Sequence, residues 1–179
     1  MNIRFYAIDN FPINRLLKSF FFPLGFLVIS LTLDSLYLGI NDLSLKQFYL
    51  NHLAYASANF INFITPGENV AVYQNSISSG KVNLEIARTC SGSTTLFLLM
   101  AAILVFYGSV WHKVSGIVFS VLLVSFLNHI RIVSLYFSLA YNPDFFSLIH
   151  LYIAPTLTII CCCLFFTWWA FWAIGSTHE

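Results

Sequence analysis

The chain has 179 residues, of which 59% are hydrophobic and only 8% charged, against about 25% charged in an average soluble domain; a water-soluble surface is excluded. The formal net charge is +1 and the eight Lys and Arg are scattered, which excludes the clustered basic footprint of a nucleic-acid binder. The length suits one domain, here an all-α bundle in the membrane whose solvent is mostly lipid.

Arg4, Arg15 and Lys18 precede a first apolar run at residues 20–40. The basic start is similar to a signal peptide, yet no A-x-A-like cleavage site follows, so a retained helix is expected. Asp34 falls toward its outer end, most simply at the interface. Residues 1–45 form this basic segment and first helix, and residues 46–179 the rest of a single polytopic domain. A second stretch, residues 48–64, carries Asn51, His52, Asn59 and Asn62 and reads equally as interfacial, re-entrant or spanning.

Between Pro66 and Ala87 the period changes. Val82, Leu84 and Ile86 alternate with Asn83 and Glu85, the signature of a half-buried strand. Residues 70–77 precede it, and Ser78-Ser79-Gly80-Lys81 supplies the turn of a β-hairpin, which belongs outside the bilayer core. Cys90 follows, in the run Ala87-Arg88-Thr89-Cys90-Ser91-Gly92-Ser93, where the hairpin gives way to a helix. Thiols at a helix N-terminus, or beside a cation such as Arg88, become nucleophilic. The plainer reading of a free cysteine is a small buried hydrophobe; the junction beside Ser and Gly favours the first.

Further spans are expected at residues 94–110, 114–140 and 151–174, each near the roughly 20 apolar residues a crossing needs. With the first run this gives four crossings, or five if residues 48–64 also cross. Arg4, Arg15 and Lys18 before the first helix and Lys113 in the link after the second set those ends in the cytoplasm. With four crossings, the hairpin, Cys90 and the loop 141–150 lie together on the opposite side.

The third of these helices carries Arg131 amid apolar residues, with Asn128, Ser134 and Ser138 on the same arc. An arginine inside a span faces the bundle interior or a cavity; about 26 Å along the helix at roughly 1.5 Å per residue, it is also placed to snorkel to the outer interface. His129 points about 160° away from it at 100° per residue and is the poorer candidate. His150 closes the outer loop and opens the last span. Its imidazole titrates near neutral pH and suits a general acid or base. Within the last span, Cys161-Cys162-Cys163 lies too deep for the juxtamembrane thiols that acquire lipid and reads as packing. Trp168, Trp169 and Trp172 read as an interfacial aromatic belt. There is no C-x-x-C pair and no H-E-x-x-H helix, so neither a metal nor another cofactor is expected. One topology thus brings a nucleophile (Cys90), a cation (Arg131) and a titratable base (His150) to one membrane level, the constellation that acyl transfer requires.

Cys90-Ser91-Gly92 heading a helix, Asn128-His129-Ile130-Arg131-Ile132 as an N-x-x-R-I run in the next, and His150 opening the last together resemble the exosortase/archaeosortase family. These are multi-spanning transpeptidases analogous in chemistry, though not in fold, to the soluble sortases. The resemblance covers residues 48–172; longer members carry extra N-terminal helices that this chain lacks. Many members follow C-S-G with an aliphatic and then a charged residue, where this chain has Ser93 and Thr94.

The resemblance implies that Cys90 attacks a carbonyl in the C-terminal sorting signal of an exported protein to give a thioester. His150 then shuttles the proton and Arg131 stabilises the oxyanion or the thiolate. Ser91, Gly92 and Asn128 become substrate-binding neighbours. It implies partners with a short motif, a transmembrane helix and a basic tail, met among membrane lipids, and a site on the extracytoplasmic face of a bacterial inner membrane. Ser120, Ser125, Ser134 and Ser138 offer small polar positions for helix-on-helix recognition. Resolution by an amine acceptor gives transfer, and by water gives proteolysis. A non-catalytic assembly or transporter subunit, with Asn128 and Arg131 lining a polar cavity, is the alternative class; transporters usually show internal repeats, and none is found here.

Overall fold

The computed structural model describes residues 12–175, with side chains from Phe21 onward. Arg4 lies outside the described residues, as do the side chains of Arg15 and Lys18. Five helices make the frame: α1 (Pro12–Leu38), α2 (Asn51–Ile64), α3 (Ser93–Val105), α4 (Val110–Tyr141) and α5 (Ala154–Gly175). Three segments among the described residues are long and apolar enough to cross a membrane, namely Phe21–Leu38, Val110–Tyr141 and Pro143–Gly175. They expose Leu27, Leu31, Phe119, Leu122, Leu164 and Phe171. Apolar side chains can face outward in this way because the surrounding solvent is hydrocarbon, while the helix satisfies its own backbone.

α3 is apolar but has 13 residues, about 20 Å at 1.5 Å per residue. It stops earlier than the run 94–110 suggests because Phe106 turns extended (φ −64°, ψ 148°). α4 then begins earlier than expected, since the Ser109 side chain accepts a bond from the His112 N–H as its N-cap. Lys113 is therefore in the first turn of α4 and not in a link, and its Nζ donates to the Leu104 carbonyl at 2.7 Å.

Residues 48–64 are not among the crossing segments. A π-helical turn at Leu45–Leu50 leads into α2, whose buried stripe of Leu53, Ala54, Ser57, Ala58 and Ile61 packs on α4. Ser57 Oγ meets His129 Nδ1 at 2.9 Å. Lys46 bonds Glu85 at one end, and Asn62 bonds the Val70 backbone at the other. The segment thus begins and ends at the end of the bundle that carries the sheet.

The expected hairpin is a three-stranded antiparallel meander: β1 (Ala71–Tyr73), β2 (Ser76–Ser78) and β3 (Asn83–Glu85). Residues 79–82 connect β2 to β3, one residue later than the expected turn 78–81, so that Ser78 closes β2 and Val82 precedes β3; residues 70–77 are not one strand. A two-residue turn at Gln74-Asn75 divides them, with Gln74 in the left-handed region (φ 55°). Asn75 holds this turn by donating to the Ile86 carbonyl and to Glu85. Val72, Ile77 and Leu84 stand in register, and Ile77 is fully buried against α2 and α4.

A charged cluster fixes the sheet to the top of α4. The Glu68 side chain is 5% exposed. It accepts bonds from Lys81 Nζ at 2.6 Å, from the Tyr141 hydroxyl, and from the Tyr136 hydroxyl at 2.9 Å. These bonds, the one from Lys81 first, hold its carboxyl down at about 2, from an ordinary 4.5. The same carboxylate pushes Lys81 up.

At the other end of the bundle, Trp169 is fully buried, which corrects the reading of three belt tryptophans; of those three, Trp168 and Trp172 lie at the surface. The Trp169 indole donates to the His112 carbonyl at 3.0 Å. It lies so close to Gly116 that a Cβ there would stand 2.5 Å from Nε1. Cys162 packs in the same cluster, whereas Cys163 is exposed.

Two outcomes follow from this packing. Gly116→Ala is expected to lower the thermal stability of the detergent-solubilised protein by about 1–3 kcal/mol, the usual range for overpacking, with a change in tryptophan emission. Glu68 has a depressed folded value, so its contribution is complete above pH 4.5 and lost as pH falls toward about 2. The raised Lys81 contributes below pH 10.5 and loses its effect as pH climbs past its folded value. Wild type is therefore expected to resist proteolysis of the sheet better than Glu68→Gln at pH 7, with the two converging between pH 4.5 and 2.

Candidate functional site

The chain between the sheet and α3 is a short 3-10 turn, Arg88–Cys90, closed by the Cys90 N–H donating to the Ala87 carbonyl at 2.9 Å. Gly92 caps α3 in a left-handed conformation (φ 76°). Cys90 therefore sits at the junction that the sequence suggested, one turn ahead of the first residue of the helix. The positive end of the macrodipole resides on the free amides of the first turn, and its effect falls off within about one turn, so it reaches the Cys90 thiol only weakly.

Arg88 was the expected cationic neighbour of the thiol. Its guanidinium donates to the carbonyls of Tyr37, Leu38 and Ile40 at 3.3, 3.0 and 2.6 Å, and pairs with Asp42 at 2.7 Å. It closes the C-terminus of α1, where unpaired carbonyls carry partial negative charge. Ser91 is 3% exposed, and its hydroxyl accepts from Tyr37 and donates to Ser93, each at 2.9 Å. The Ser91 carbonyl accepts from the Tyr49 hydroxyl at 3.1 Å. The residues on either side of Cys90 are thus tied to α1 and to the Leu45–Leu50 turn. Cys90 itself is half-buried and packs on the cluster that contains Ile132, Val133 and Tyr136 of α4.

Gly92 touches Asn128 so closely that a Cβ would meet the amide carbon at 3.2 Å. Asn128 and Arg131, one turn apart on α4, share a small cavity of about 70 Å³ with Gly92, Thr95, Pro155 and Thr158. Arg131 also lies within Coulombic reach of His150. His150 stacks on Phe146 (centroids 5.6 Å apart, planes 5°) within a π-helical turn, Ile149–Ile153. Pro155 has no N–H for the Leu151 carbonyl, so the α ladder is already broken beside this turn. Asn128 Nδ2, Arg131 Nε and His150 Nδ1 are all buried without a hydrogen-bond partner among the described residues.

The structure thus gathers Gly92, Asn128 and Arg131 around one cavity and sets His150 beside Arg131. Cys90 and His150 do not line the cavity, and the Ser91 hydroxyl is engaged in holding the loop. His129 faces α2, on the other side of α4, as its position on the wheel implies. Ser120, Ser134 and Ser138 bond to carbonyls of their own helix or its cap, a local use of the hydroxyl that competes with recognition of another helix. Asp34 accepts from Thr94 at 3.3 Å, joining α1 to the start of α3. Tyr37, Tyr49, Thr95 and Thr158 escaped the sequence reading, because single hydroxyls in apolar helices carry no periodic signal. No group of three or more potential metal ligands occurs among the described residues.

Neither the curated proteins nor the solved structures gave a match. The family model for transmembrane exosortases matches residues 14–168, which covers α2, α3 and α4 and most of α1 and α5, beginning before and ending just short of the 48–172 core suggested by the motifs. With that match across the loop of Cys90, the Asn128–Arg131 turn and His150, the chain belongs to the transmembrane exosortase family.

Proposed function

We propose that this exosortase-family chain cleaves the C-terminal sorting signal of an exported protein through a thioester on Cys90, with His150 carrying the proton and Arg131 receiving the charge that develops on the carbonyl oxygen. The observation that carries the reading is the convergence at one end of the bundle. Cys90 is held two residues from Gly92, Gly92 lies on Asn128, Arg131 follows one turn on, and His150 is within reach of its charge.

In this mechanism the Cys90 thiol gives its proton to His150, and the thiolate forms a C–S bond to the scissile carbonyl. The carbonyl π pair moves onto oxygen, beside the guanidinium of Arg131. Collapse returns that pair, breaks the C–N bond and sends the His150 proton to the leaving amine. An amine acceptor then attacks the thioester and regenerates the thiol, giving transfer; water in its place gives a free carboxylate. α1, α3, α4 and α5 cross the bilayer in this reading, the short α3 completed by the turn ahead of it. The sheet and Cys90 then face away from the cytoplasm of a bacterial inner membrane. The substrate presents a short motif at that level, and its own helix and basic tail lie along the bundle.

The test is cleavage of a co-expressed candidate substrate at matched membrane levels. Cys90→Ala is expected to abolish cleavage. Arg131→Ala and His150→Ala are expected to reduce it by about 10²-fold or more, the scale for losing an oxyanion donor or a general acid-base group. Undiminished cleavage by Cys90→Ala would remove the nucleophile and the mechanism with it.

A further inference from the structure

We infer that the cavity between α3, α4 and α5 is a preformed site for a carbonyl oxygen of the substrate peptide, held jointly by Asn128 Nδ2 and Arg131 Nε. The inference deepens the reading of Cys90 as nucleophile and rests on it.

Its first support is donor chemistry. Asn128 is 5% exposed, and its Nδ2 and the Arg131 Nε are buried with no partner among the described residues. Both atoms are donors only. A site whose unpaired atoms both donate takes an acceptor oxygen and repels an amine or a metal cation. The spacing of three residues puts the two donors on one face of α4, so a single acceptor can meet both.

The second support is shape. The cavity of about 70 Å³ exceeds the roughly 10–15 Å³ that one water needs, so it has room for a carbonyl oxygen. Val124, Pro155 and Ile159 supply apolar walls, and donors aimed at a developing charge act most strongly where water is excluded.

The third support is the route to the nucleophile. Gly92 forms one wall, and its missing Cβ lets the cysteine loop approach Asn128 to within a contact that a side chain would close. Asn128 Oδ1 is among the atoms nearest that wall. Gly92 thus sets the Asn128 amide against the loop that carries Cys90, and an oxygen bound on Nδ2 is separated from that loop by the width of one amide group. Asn128 becomes a second charge-stabilising donor in the reaction, beside Arg131.

The experiment uses the full chain in detergent with two probes of Cys90. A peptide aldehyde ending at the scissile residue of the co-expressed substrate adds to the thiol and creates an oxyanion. Iodoacetamide alkylates the thiol by displacement and creates none. For Asn128→Leu, and for Asn128→Asp as a second variant, kcat is expected to fall by about 10²–10³-fold, as for loss of one oxyanion donor, with KM nearly unchanged. Aldehyde inhibition should weaken by at least about 10-fold while iodoacetamide labels Cys90 at the wild-type rate. Parallel loss of both reactions would show that Asn128 only shapes the loop and would overturn the inference, as would unchanged aldehyde inhibition. If wild-type Cys90 reacts with neither probe while cleavage persists in Cys90→Ala, the nucleophile reading itself has failed, a result distinct from failure at Asn128 alone.

Discussion

The contact between Gly92 and Asn128 is the constraint around which the sheet-bearing half of the molecule is built. Gly92 must be a glycine twice over: its φ of 76° lies where side chains are strained, and a Cβ would stand 3.2 Å from the Asn128 amide carbon. Because the backbone can come this close, α3 starts directly against α4 and the 3-10 turn bearing Cys90 is pinned just ahead of it. The other anchors of that turn come from α1. Arg88 spans three carbonyls at the end of α1, and Tyr37, four residues before Asn41, bonds the Ser91 hydroxyl. The cysteine loop is thus held between two helices distant in sequence, with neither contributing an atom to the loop itself.

Along α4 the same contact marks the boundary between two apolar clusters. Below it, Val124 belongs to a dry cluster with Leu99, Ile103, Cys162 and Trp169. Above it, Ile132, Val133 and Tyr136 join a second cluster with α2 and the sheet. Asn128 and Arg131 occupy the seam between them, where Thr95 and Thr158 also gather. Unsatisfied donors in such a place are costly in hydrocarbon, and the fold tolerates them where two apolar cores meet without merging. The polar seam is also narrow: His129, between Asn128 and Arg131 in sequence, turns the other way and satisfies itself on Ser57.

Composition and periodicity made much of this legible. The membrane class follows from the scarcity of charge, the long helices from the length of the apolar runs, the β2–β3 hairpin from the two-residue period, and the turn-to-helix passage at Cys90 from the glycine and serines beside it. The Arg131 and His150 positions stand out because charge and imidazole are rare in apolar segments. What stayed hidden are features decided by tertiary contact. The division of residues 70–77 into two strands depends on Asn75 reaching across to Ile86. The burial of Trp169 depends on a glycine 53 residues earlier that leaves room for its ring, and an aromatic girdle looks the same in sequence as a buried indole. The diversion of Arg88 to the end of α1 reflects carbonyls that a linear reading cannot bring near it.

The π-helical turn at Ile149–Ile153 has a consequence for how this family of sequences can vary. A π turn accommodates one residue more than an α turn would, so every side chain beyond it is rotated by about 100° relative to an uninterrupted helix. The phase of the whole of α5 is therefore set at His150: with the extra residue, Thr158 and Ile159 line the cavity and Cys162 and Trp169 fill the inner core. Loss of one residue from that turn would leave the helix intact and its hydropathy unaltered, yet would swing the cavity wall and the Trp169 anchor together toward lipid. The turn acts as a phase marker, and length changes in this segment are legible as changes of face even where composition stays the same.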